Sequence, residues 1–430
     1  QDISAINARG DTLESMTDLA VIDTQTGTGF VQTTVADEGM PVEIVIEGKT
    51  VVTPLDPTQD ISPDNPATIE SVGDSPFDVV SCGKNLFHKF VSSQTKNGIT
   101  LTVTEDGTIV LNGTSTNTTL FTVYPDSLVR TYLTGTFTIS ANNTVVKSDV
   151  SVRLMKPSDG LTTTLEEVFC TSINASKVIT LNNNAVTNFA IRIGNNTTLT
   201  NFILKPQLEV GNKVTDYETY DPAKYNKINI SHPLRSIPNT DVKDTLTITC
   251  GKMIYTPKIK TAIIDGSQPI RSFNIYSGYL RAQVQIETYT NSFTTTKILN
   301  AVSNKLVATT DSSTRTPYTF FMGVNSGWQG IRAIIVLPTT LNLSSETDLQ
   351  MWLANNPIEI CYESPYELNV TETEIIPLKT YKGITNILTT DDLQPNITAK
   401  FYSRLGNFAE VIMARLDKIT QALLALGGTV

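Results

Sequence analysis

Cys82-Gly83-Lys84-Asn85-Leu86-Phe87 opens the stretch whose reading decides the fold. Lys205-Pro206-Gln207-Leu208-Glu209-Val210-Gly211, then Thr215-Asp216-Tyr217-Glu218-Thr219-Tyr220, closes it. Between these ends the chain runs in short segments of period two. After Asn97-Gly98, the residues Ile99, Leu101 and Val103 alternate with threonines, and Ile109 and Leu111 follow Asp106-Gly107, which reads as a two-residue hairpin turn. Phe137/Ile139, Val150/Val152/Leu154, Phe189/Ile191/Ile193 and Phe202/Leu204 keep the same period. A period of two gives one dry face and one wet face, which predicts an antiparallel sandwich and not a parallel α/β sheet.

Working outward, residues 1–56 form an acidic N-terminal module in which Val42, Ile44 and Ile46 face one way and Glu43, Val45 and Glu47 the other, and Glu47-Gly48-Lys49-Thr50 turns a small hairpin. Pro57, Pro63 and Pro66 mark residues 57–76 as a linker. The sandwich occupies 77–222. A second β-rich domain is predicted over 230–370, with one short helix capped by Ser345, and 371–404 reads as a connecting segment. The expected class is all-β: tandem antiparallel sandwiches between a small N-terminal module and a C-terminal helix over 405–427.

That helix carries its own signal. Leu405, Ile412, Ile419 and Leu426 recur every seven residues, and Ala409, Leu416 and Leu423 sit four places after the first three. Placing Leu416 and Leu423 at a with Ile412 and Ile419 at d favours trimers or tetramers over a parallel dimer. A stripe this short is marginal alone, so it must be covered by copies of itself or by its own subunit.

Composition bounds the function. The 430 residues are 40% hydrophobic and 17% charged, enough for two or three domains with real cores. Residues 1–80 hold 15 acidic and 2 basic side chains, a net of −13, which leaves +3 on the rest. An acidic head and scattered basic residues argue against nucleic acid. No apolar run is long enough to span a membrane, and residues 1–30 lack the pattern of a signal peptide. Cys82, Cys170, Cys250 and Cys361 are too widely spaced for a metal ribbon or redox pair, so they read as reduced, buried small hydrophobes.

Catalytic patterns are weak. Only two histidines occur, His88 and His232, no GxSxG elbow frames a serine, and the adjacent pairs Glu166-Glu167 and Asp391-Asp392 point to opposite strand faces. No metal ligand set or cofactor loop is expected. Sugar binding has a physical basis, because flat aromatic faces stack on pyranose rings. Tyr124, Tyr132, Tyr318 and Trp328 fall in loop-like segments and are the candidates, each against the plainer alternative of packing its loop onto a sheet.

The GKNLF opening, the hairpin Gly98 to Thr114 and the closing KPQLEVGNKVTDYETY resemble the jelly-roll, carbohydrate-binding-type module of tail and baseplate proteins from phages that infect Gram-positive bacteria. Ser62 to Gly73 resembles the linker that precedes such modules, and Leu234 to Asn239 and Asn356 to Glu363 also look like segments of those proteins. The resemblance covers roughly residues 55 to 385 and carries no catalytic residues. It implies a structural virion protein, non-enzymatic, assembled in the bacterial cytoplasm and acting outside the cell. Other tail or baseplate proteins, further copies of itself as a trimer, and host wall polysaccharide are the implied partners. The alternatives are an envelope-glycan depolymerase or glycosidase, and a bacterial surface adhesin.

Overall fold

The computed structural model describes residues 19–34, 37–88, 90–105, 107–123, 135–156, 164–181, 188–219, 225–249, 251–288, 296–324 and 330–404. The protein is mostly β and almost wholly antiparallel, with sheets gathered round three large hydrophobic cores. Glu346–Asn355 is the one α-helix among the described residues.

The first core brings both halves of the chain together. Its outer sheet runs in the order Leu19–Thr28, Asn396–Arg404, Val42–Glu47, Thr245–Thr249, Lys252–Thr256, Thr371–Glu374. Leu19 lies opposite Arg404 and Thr28 opposite Asn396. Ile44, Ile46, Leu246, Ile397 and Phe401 point inward from this sheet and are completely buried. Facing them is a four-stranded sheet ordered Tyr225–Ile230, Phe77–Cys82, Thr385–Thr389, Phe30–Thr33.

This arrangement corrects the expected boundaries. Residues 1–56 are not a module of their own, at least from residue 19 onward, because the Val42–Glu47 strand is flanked by 396–404 and 245–249. The apolar face carried by Ile44 and Ile46 has to be covered, and nothing near it in sequence does so. Thr50–Pro54 turns away to pair with Ala67–Ser71, a strand inside the expected linker. The 371–404 segment is no connector, since it supplies strands to both sheets. Residues 225–256 likewise belong here and not to the second β-rich region. Gly48 makes the close approach possible: a Cβ there would meet the Arg235 carbonyl oxygen at 2.1 Å.

The four-stranded sheet is buried on both faces. Val79, Ile387 and Val31 enter the first core, while their neighbours Val80, Leu388 and Phe30 enter or pack against the second. This is why Phe77–Cys82 (FDVVSC) departs from alternation and is buried at five of six positions.

The second core is built mostly from strands within residues 77–222, with Leu388 added from far along the chain. Its sheets are Thr198–Leu204, Ile109–Thr114, Ile99–Val103, Gln94–Lys96; then Thr119–Val123, Asn188–Ile193, Lys147–Met155, Thr164–Cys170; then Ser176–Leu181, Gly135–Ser140, Gln207–Val210. Asn97 and Gly98 have φ of 49° and 79° and join Lys96 to Ile99 as a two-residue turn. At the next turn Thr104 N–H donates to the Thr108 carbonyl and Gly107, at φ 75°, donates its N–H to the Thr104 carbonyl; Asp106 of the expected Asp106-Gly107 turn lies outside the described residues.

The third core lies between a sheet of Ile259–Ile264, Ile358–Glu363 and Ala301–Ser303, and a larger sheet ordered Ile270–Ile275, Tyr279–Thr288, Gly330–Pro338, Thr319–Val324, Lys297–Ile298. The helix closes it with Leu349 and Leu353, and Trp352 packs on the same cluster. Ser345 caps the helix by accepting from Asp348 N–H at 3.1 Å.

The shared sheet yields a direct test. Ile387→Asp places an unpaired charge in the first core, at a cost of several kcal/mol. In hydrogen exchange, amides of Val42–Glu47 and Thr245–Thr249 should then lose protection along with Thr385–Thr389. Loss confined to residues 385–389 would contradict the pairing.

Candidate functional site

The residues that carry the family resemblance build a buried polar lock. Asn85 is central. Its amide nitrogen donates to the carbonyls of Pro206 (3.2 Å) and Glu218 (2.8 Å), and its oxygen accepts from Phe87 N–H (2.9 Å) and Leu208 N–H (3.2 Å). Glu209 accepts from Gln207, from Thr215 N–H and from the Thr215 hydroxyl, and Gln207 in turn accepts from Glu218 N–H. Lys84 Nζ donates to the Asp216 carbonyl. The lock fastens the opening motif to the closing one. Its polar groups are spent on one another, so it holds the sandwich shut and offers no ligand site.

Of the aromatic candidates, Tyr124, Tyr132 and Trp328 lie outside the described residues, as do Leu405, Ala409, Ile412, Leu416, Ile419, Leu423 and Leu426 of the C-terminal stripe. Tyr318 is described. It sits at a corner with φ 59°, its N–H donates to the Val336 carbonyl, and its half-buried ring packs on the third core. Burial and the charge of Asp64 push its phenol upward. Tyr318 therefore packs its loop onto the sheet, the plainer of its two readings. The next residue, Thr319, pairs with Val336 of the strand Gly330–Pro338.

The most chemically dense cluster surrounds Glu287. Lys260 Nζ reaches Glu287 at 2.6 Å and Tyr366 OH at 2.6 Å, Tyr366 OH donates to Glu287, and Tyr362 OH lies 3.5 Å from it. Burial alone would raise Glu287, but the bonds from Lys260 and Tyr366 outweigh it and hold the carboxyl below its ordinary value. Tyr366 also lines a cleft of about 770 Å³ with Lys258, Lys297 and Glu363. There, too, burial is outweighed: Lys297 at 2.6 Å and Asn300 at 2.7 Å keep Glu363 low. A general acid for glycoside cleavage needs a carboxyl raised toward neutrality, and neither of these is.

Among the described residues two carboxyls are raised by burial, and both are tied to backbone. Asp244 is completely buried and accepts from Lys258, Ile259 and Arg235 N–H. Asp391 accepts from Gly73 and Leu393 N–H. Both join distant segments of backbone. His232 sets its ring 5.0 Å from that of Tyr255, a packing role. Cys82, Cys170 and Cys361 are buried, as expected, and burial pushes Cys170 up to about 12 and Cys361 to about 11, so neither of these two is a nucleophile at neutral pH.

An exposed aromatic pair lies at a place that the loop-based reading missed. Ile275-Tyr276-Ser277-Gly278-Tyr279 turns the hairpin between Ile270–Ile275 and Tyr279–Thr288. The rings of Tyr276 and Tyr279 stack with centroids 4.9 Å apart and planes at 17°. Tyr276 is 44% exposed at the tip. Gly278 takes φ 90°, which an L side chain rarely adopts, so the tight turn that brings the two rings together depends on it. A Tyr-x-Gly-Tyr turn between period-two strands was the available signal. It passed as ordinary strand sequence because both tyrosines continue an apolar–polar run.

No family model matches this chain, and no curated protein does. Solved structures with some likeness include the infectious bursal virus derived T=1 particle (10% identity, 90% of this chain and 75% of that chain, TM-score 0.09). The infectious bursal disease virus VP2 subviral particle is another (11% identity, 88% and 80%, TM-score 0.09). At that TM-score the likeness carries no weight.

Glu287 gives a pH test. Its stabilising contribution is present above the ordinary carboxylate value of 4.5 and is lost as pH falls through its lower folded value. Glu287→Gln should therefore melt below the wild type at pH 7, and the gap should narrow between pH 5 and 3. A gap independent of pH would contradict the ionised Lys260–Glu287–Tyr366 arrangement.

Proposed function

We propose that this chain is a structural, non-enzymatic protein of a phage tail, baseplate or fibre that contacts glycan on the host surface. The finer architecture proposed with it is a tandem of β-sandwich domains, the Cys82–Tyr220 unit being of jelly-roll type. In this reading the sandwich built from both ends of the described chain faces other virion proteins. The 405–426 stripe joins copies into a trimer.

The observation that carries the glycan contact is the exposed Tyr276–Tyr279 stack on a rigid hairpin. Aromatic rings fixed by a sheet lose little freedom when a pyranose stacks on them, so they suit a repeating sugar surface. The charged side chains elsewhere favour a binder over a glycan-cleaving enzyme. Glu287 and Glu363 are held ionised by lysines, and Asp244 and Asp391 are engaged by backbone N–H groups.

The test is titration of the full chain with purified wall polysaccharide of the host. Tyr276→Ala should lower affinity by about tenfold, the worth of one aromatic contact of roughly 1.4 kcal/mol, with the melting temperature unchanged. Equal affinity of variant and wild type would remove the hairpin from the contact surface.

A further inference from the structure

The strand that begins at Tyr279 continues as a track. Tyr279, Arg281 and Gln283 alternate with the buried Leu280, Ala282 and Val284 and so share the outward face of the sheet. Residues two apart on a strand face are about 7 Å apart. Arg281 is thus one step from the tyrosine stack.

Farther along, at Gln285, stand Arg271 and Arg332. Arg271 comes from the bulged neighbouring strand, with Nε 3.0 Å from Gln285 Oε1. Arg332 pairs with Gln285 across the other neighbour and sends Nη1 to Gln283 Oε1 at 3.0 Å.

Arg271 donates to an amide oxygen and Arg281 to the Ser312 carbonyl, both neutral acceptors. The buried Nε–H of Arg281 has no partner among the described residues. Ile270–Ile275, Thr319–Val324 and Gly330–Pro338 contain no Asp or Glu, and the single carboxylate of Tyr279–Thr288 is Glu287, engaged with Lys260 and Tyr366. Asp311 feels the charge of Arg281, and its Oδ1 accepts from the Ser313 N–H and hydroxyl. Burial and the nearby charge of Arg271 push Arg332 downward, as expected where positive charges face one another.

We infer that this face binds an acidic polysaccharide whose pyranose rings carry carboxylates. The inference rests on the glycan reading of the tyrosine hairpin and names the glycan's class. A uronate carries ring and charge in one residue, which matches the short step from the Tyr279 ring to Arg281. Arg271 meets a second carboxylate farther along the same chain, about 14 Å beyond Arg281. The exposed Arg271 guanidinium takes a carboxylate through charge-assisted hydrogen bonds, Arg281, whose Nε is buried, supplies positive charge beside the tyrosine stack, and Gln283 lies between the two stations to meet hydroxyls. A polymer charged at bridging phosphates sets its charge between units and fits this step less well.

The experiment is calorimetric titration of the full chain with oligogalacturonate, with its methyl ester, and with polyphosphate. Binding of oligogalacturonate at least tenfold tighter than the ester supports the inference, as does weakening by added salt. Arg281→Gln and the exposed Arg271→Gln should each lose about tenfold, the worth of one charge-assisted pair of roughly 1.4 kcal/mol. Arg271→Gln keeps the test sound if loss of the Ser312 contact unfolds the other variant. Equal binding of acid and ester, with Tyr276→Ala still weakening both, overturns the acidic class and leaves the glycan reading standing. Polyphosphate bound as tightly as oligogalacturonate overturns the carboxylate assignment. No binding to any saccharide, neutral wall glycan included, overturns both.

Discussion

The pairing of Phe77–Cys82 with Thr385–Thr389 is the contact on which the rest of this structure depends. It places two strands, far apart in the chain, at the centre of a sheet that is dry on both sides. Val79 and Ile387 serve one core, Val80 and Leu388 the next. Each fully buried aliphatic side chain there is worth about 1.5–3 kcal/mol, and the two cores draw on the same backbone hydrogen bonds. A register slip by one residue would send each set of side chains into the wrong core. Both cores therefore hold the register, and the units on either side are fixed to a common wall.

What the sequence made legible was local. Period two in Ile99–Val103 and Phe189–Ile193, the Asn97-Gly98 turn and the Ser345 cap all carry their signal within a few residues. Strand partners distant in sequence carry no such signal. Val42–Glu47 shows by its alternation that it needs a cover, but nothing in the alternation says that 245–249 and 396–404 supply it. The proline-marked boundary near residue 57 was read as the end of a module when it marks only a loop. Asn65 organises that loop by donating to the carbonyls of Asp56, Gln59 and Asp60.

The site followed the same rule. The motifs that carry the resemblance, Lys84-Asn85 and Gln207 to Glu218, hold this unit together from inside. Tyr318, chosen because it sits in a loop, packs inward. Tyr276 and Tyr279 sit where a strand pattern conceals them, yet a hairpin tip is the position a rigid scaffold offers to solvent. Arg271, Arg281 and Arg332 are scattered in sequence and come together only when three strands lie side by side. Basic residues that look dispersed along the chain thus form one face of a sheet.

In the proposed account, the sandwich built from both ends of the described chain faces the particle and the tyrosine hairpin faces the cell. Reconstruction of purified particles by electron microscopy tests this most directly. The account predicts density for this chain with Leu19–Thr28 and Asn396–Arg404 against neighbouring virion proteins and the Tyr276–Tyr279 hairpin open to solvent on the distal side. A hairpin buried against another virion protein, or particles that lack the chain, would contradict it.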